Sequence, residues 1–63
     1  MDKMQQCRKQ KGMTREKLAE LADASTSMIV KIEMGERKPS VKLAKRIASV
    51  LGFPWTDFFS ESA

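Results

Sequence analysis

The chain has 63 residues, 41% of them apolar, and a formal net charge of +4. A chain this short buries only about 60% of the surface it exposes when unfolded, which allows one small domain and leaves no room for an active-site cleft beside the core. With Cys7 as its single cysteine and no histidine, it can build neither an internal disulfide nor a Cys/His metal site. No apolar run approaches the ~18 residues of a membrane span, and the N-terminal MDKMQQCRKQ lacks the apolar stretch of a signal peptide, so a cytoplasmic location is expected. The charge is segregated. Residues 1–17 carry six Lys/Arg against two acids, and residues 31–46 carry another six against two. Paired basic segments of this kind suit a phosphate-binding surface, the alternative being lysines that merely solvate helices.

Asp2 can cap a first helix running to about Lys11, where Gly12 supplies the left-handed residue that ends it. Only Met1, Met4 and Cys7 can face inward, so this helix is either frayed or a turn short. Cys7 is expected to be buried as a small hydrophobe rather than to serve as a reactive thiol. From Thr14 to Gly35 the pattern is two short helices and a tight turn. Leu18, Ala19, Leu21 and Ala22 form an apolar face on the first, and Met28, Ile29 and Ile32 form one on the second. Thr14 and Ser25 precede the two runs as helix caps. Only Asp23, Ala24 and Ser25 separate the runs, so the two helices must cross steeply over one small core, leaving the outer face of the second free for a partner.

Gly35 is expected to stop the third helix. Glu36, Arg37, Lys38 and Pro39 follow as a loop, with Pro39 disfavouring helix at Lys38. Ser40 caps a fourth helix whose stripe is Val41, Ala44, Ile47, Ala48 and Leu51, and Gly52 ends it. Pro54 opens a last turn, in which Trp55, Phe58 and Phe59 suggest a short amphipathic fifth helix. Residues 60–63 have nothing to bury and are expected to be disordered. No repeat, linker or low-complexity segment interrupts the chain.

Taken together, Arg8, the Gly12-Met13-Thr14 corner, Leu18-Ala19, Ser25, Ile29, Glu33, Gly35, Pro39, the Ala44/Ile47/Ala48/Leu51 helix and the Leu51-Gly52-Phe53 exit resemble the Cro/repressor-type helix-turn-helix family. The resemblance covers nearly the whole chain. It implies an all-α, compact five-helix bundle over residues 1–59, with the helix-turn-helix formed by helices 2 and 3, and it implies double-stranded DNA as partner. Helix 3 would read bases from Thr26, Ser27 and Met28 in its first turn and from Val30 or Lys31 one turn on. The family commonly has Gln, Arg or Asn at these positions. Small hydroxyls and a methionine here point instead to thymine contacts, water and DNA shape, with core packing as the alternative role for Met28.

Thr14, Arg15, Ser25, Arg37 and Lys38 are the phosphate-contact candidates that the resemblance implies. Arg15 stands where the family usually has glutamine, and Asp23 stands where it usually has glycine. Arg8 and Glu33 are expected to pair and to fix the recognition helix. Phe53, Trp55, Phe58 and Phe59 are candidates for a two-fold dimer contact, the alternative being a tryptophan lid over the core. The implied function is a sequence-specific transcriptional regulator, a repressor binding as a homodimer to an inverted repeat. Alternatives on the same fold are an antitoxin, the control protein of a restriction system, a switch from a mobile element, or a protein-interaction module. No enzyme constellation, cofactor, metal or small-molecule ligand is expected.

Overall fold

The computed structural model describes residues 2–59, which form four α-helices and one 3-10 turn: α1 (Asp2–Gln10), α2 (Arg15–Ala22), α3 (Thr26–Glu33), α4 (Val41–Leu51) and the turn Trp55–Phe58. The expected fifth helix is that single turn. Pro54 lies immediately before it, and Asp57 N–H donates to Pro54 O at 3.0 Å while Phe59 N–H donates to Thr56 O at 3.0 Å. The short segment after the helix-ending Gly52 can close one hydrogen-bonded turn, too little to offset the cost of nucleating an α-helix.

Three of the four helices start on a hydroxyl cap. Thr14 accepts from Lys17 N–H, Ser25 from Met28 N–H and Ser40 from Leu43 N–H, each at 3.1 Å. Each cap satisfies one of the amides that a helix start leaves without a partner, a contribution of about 1 kcal/mol. The ends are local as well. α1 closes at Gln10, one residue before the expected Lys11, and Gly12 follows at φ +64°. α3 closes at Glu33, and Glu36 N–H donates back to Lys31 O at 2.9 Å.

The helices share one core. α2 packs on both α3 and α4, α1 closes over α3 and α4, and the 3-10 turn lies on α4. Met4, Leu18, Ile29 and Ile47 are its largest fully buried side chains. Each contributes about 1.5–3 kcal/mol by leaving water.

Two residues assigned to apolar faces in the sequence lie outside the core. Leu21 is 49% exposed and Val41 50% exposed. The inner face of the short helix α2 is filled by Leu18, Ala19 and Ala22, and Leu21 stands about 100° round from Ala22. Val41 is the first residue of α4, ahead of the point where Ala44 reaches the core. Cys7 is half-buried, packed at the margin of the core. Met1 and the tail 60–63 lie outside the described residues.

Candidate nucleic-acid interface

Helix α3 carries the candidate base-reading residues, and its inward face fixes its outward one. Ile29 and Ile32 are buried, so residues between and before them turn outward at 100° per residue. Ser27 and Lys31 are exposed and Thr26 and Val30 half-buried. Ser25, exposed at the cap position, has its hydroxyl occupied by Met28 N–H. Met28 is half-buried and packs against the core, so of its two alternative roles the packing one is occupied. Outward chemistry on α3 is therefore that of Thr26, Ser27 and Lys31.

The far end of α3 is anchored by charge. Glu33 is buried, its side chain 1% exposed, and its carboxylate accepts from two arginines: Arg8 Nε–H to Oε2 at 2.7 Å and Arg15 Nε–H to Oε1 at 2.9 Å. Arg8, itself buried, also donates from Nη1 to Met13 O at 2.7 Å. One guanidinium thus joins α1, the α1–α2 corner and the end of α3. A buried pair of this kind costs desolvation, which the carbonyl bond helps to offset, and its surest product is a fixed orientation. The Arg8–Glu33 pair is as expected from the sequence. The Arg15–Glu33 bond is additional: Arg15 begins α2, and its side chain remains 42% exposed. No local pattern marks it, because it joins residues 18 apart in the chain.

Arg37 and Lys38 are exposed in the segment after α3, with Pro39 buried beneath them. A concavity of about 240 Å³ lies beside this segment, lined by Ile32, Gly35, Arg37, Lys38, Pro39, Asp57 and Phe58. It brings the basic loop and the 3-10 turn to one place. Thr14 is exposed and caps α2, so Thr14 and Arg15 stand at the start of the helix whose first turn is tied to the end of α3.

The four aromatic residues do not behave alike. Phe53 is buried, whereas Trp55, Phe58 and Phe59 are half-buried. Phe53 and Phe58 have ring centroids 5.4 Å apart, and Trp55 and Phe59 meet edge-on at 6.1 Å. Lys45 Nζ lies 5.0 Å from the Trp55 ring centre, and an ion pair between Lys3 and Asp57 ties the turn to α1. Phe53 thus belongs to the core, Trp55 and Phe58 touch it with part of their surface still open, and Phe59 packs on those two rings. Among the described residues no group of His, Cys, Asp and Glu could hold a metal ion, and no helix is long and apolar enough to cross a membrane.

Comparison with known proteins agrees with this geometry. A helix-turn-helix family model matches residues 4–58. The chain is 44% identical over 54 residues to YqaF, an uncharacterized HTH-type transcriptional regulator of Bacillus subtilis (strain 168), covering 86% of this chain and 71% of that protein. It is also 44% identical over 45 residues to an uncharacterized HTH-type transcriptional regulator of Methanothermobacter thermautotrophicus (strain Delta H), covering 71% of this chain and 65% of the relative. With two short capped helices crossing at Asp23, a buried Arg8–Glu33 anchor and a match over nearly its whole length, the chain belongs to the Cro/C1-type helix-turn-helix family.

Proposed function

We propose that this protein is a sequence-specific, double-stranded-DNA-binding transcriptional regulator, a repressor that acts as a two-fold dimer on an inverted repeat. The observation that carries the reading is the outward face of α3. Its first turn offers the hydroxyls of Thr26 and Ser27 and its last turn the exposed Lys31, on a helix whose other side is held by Ile29, Ile32 and Glu33. A rigid helix with short polar side chains at its N-terminal end can enter a major groove and reach base edges. Thr14, Arg15, Arg37 and Lys38 flank that face as phosphate contacts, and Ser25 adds its place at the helix start. These contacts set register and affinity, while Thr26, Ser27 and Lys31 set preference. Exposed basic groups at this face favour DNA over a purely protein-binding role for the same fold.

The test is selection of bound duplexes from a random pool by the purified protein, followed by affinity measurement across salt concentrations. An inverted repeat should emerge, and affinity should fall steeply between low and physiological salt as phosphate counterions are released. Affinity that stays flat with salt, or a pool that does not converge, would remove the basis for this assignment.

A further inference from the structure

We propose that Glu33 is a positioning residue for phosphate binding: it holds Arg15 by Nε alone, so that the outer edge of the Arg15 guanidinium is presented to a DNA backbone phosphate. This inference rests on the DNA-binding reading above and deepens it. The carboxylate of Glu33 is buried and lies between two guanidinium groups, Arg8 on Oε2 and Arg15 on Oε1. Arg8 is buried and spends a second nitrogen on Met13 O, whereas the Arg15 side chain is 42% exposed and can meet a further partner from solvent. Among the described residues the Nη groups of Arg15 have no hydrogen-bond partner. Its Nε–H is the one donor it commits.

An unrestrained arginine on a helix surface loses side-chain entropy when a phosphate immobilises it. Here that ordering takes place on folding, through a 2.9 Å bond to an atom that is itself fixed. Arginine can do this because Nε–H and the two Nη groups point in different directions on one rigid plane. Lysine has one nitrogen, which must either answer Glu33 or reach outward. The identity of residue 15 therefore matters beyond its charge.

The experiment compares wild type, R15K and R15A by fluorescence anisotropy on a labelled duplex across a salt series, with circular-dichroism melts of each variant. All three should melt cooperatively, R15A at a lower temperature because it removes a donor from the buried Glu33 carboxylate. R15K keeps the net charge, yet it should bind about tenfold more weakly than wild type, close to R15A. Its salt slope should also fall, by about 0.9 for each phosphate that the variant no longer neutralises. R15K that matches wild type in affinity and slope would overturn the proposal, leaving Arg15 a simple surface charge. A wild-type protein showing no salt-dependent duplex binding would overturn the DNA reading itself, and this inference with it. NMR of the arginine side chains, in the free protein and in the complex, gives the second readout. Arg15 Nε–H should be protected before DNA is added, and the Nη signals should shift when it is. An Nε–H that exchanges freely in the unbound protein would also overturn the proposal.

Discussion

Asp23 is the one non-glycine among the described residues with a positive φ, at +57° with ψ +49°. An L-residue there suffers a clash of its Cβ with the following carbonyl, a cost of about 1–2 kcal/mol that Asp and Asn reduce. The conformation is imposed by the turn: Asp23 N–H donates to Glu20 O at 3.2 Å and Ala24 N–H to Ala19 O at 2.9 Å. Arg46 approaches the Asp23 carboxylate at 3.6 Å, but that side chain is 88% exposed, and so open a pair contributes little. Urea unfolding should therefore find Asp23→Gly more stable than Asp23→Ala by about 1 kcal/mol, since both remove the carboxylate and only glycine removes the Cβ. Equal midpoints would mean that the turn relaxes away from the left-handed region. This feature was legible in the sequence because turn chemistry is local, as were the caps at Thr14, Ser25 and Ser40. The Arg15–Glu33 bond was not, because local pattern gives Arg15 only a charge at a helix start, and its partner comes from a different helix.

At the scale of elements, α2 and α3 are each eight residues long, too short to persist alone in water. Their stability comes from the shared core, which also makes α3 a rigid presenter of its outward side chains. Because inward and outward roles are separated on this helix, substitutions should separate too. Thr26→Ala or Ser27→Ala should change preference among duplexes by about 1–3 kcal/mol for each base-edge interaction removed, while Arg37→Ala should weaken binding to all duplexes nearly equally. Affinity measured on a panel of single-base variants of the selected site distinguishes the two patterns. If the Thr26 and Ser27 variants keep the parent's order of preference, α3 enters the groove by another face. Helix positions and boundaries were legible to within a residue or two from caps and glycines. Membership of the apolar faces was less so: Leu21 and Val41 fit the period but stand at the flank and at the start of their helices, where the core does not reach. The last element was misjudged for a related reason, since amphipathic spacing at Trp55, Phe58 and Phe59 is equally compatible with one 3-10 turn.

The molecule measures 31 × 21 × 19 Å, and among the described residues α3 is the one helix proposed to enter a groove. One such helix reads only a few base pairs, so useful selectivity calls for two copies with their recognition helices one turn of DNA apart, about 34–36 Å. That separation exceeds the longest dimension of a single copy, and a pair must meet edge to edge through a surface near the end of α3 without covering its outward face. The 3-10 turn meets these conditions: Trp55, Phe58 and Phe59 are half-buried there, and Phe58 stands beside Ile32 at the end of α3. A patch of apolar rings can be self-complementary under a two-fold axis, as an isologous contact requires. One short turn makes a small interface, so the pair should be weak in solution and complete on DNA. Sedimentation equilibrium should show self-association rising with concentration, and titration of the selected inverted repeat should reach two chains per duplex. Trp55 supplies an internal probe, because closing the contact removes water from its ring and should shift its emission to shorter wavelength. A chain that stays monomeric at high concentration and binds the selected duplex one to one would assign the three rings to the rim of the core, with Trp55 held under Lys45 as a lid.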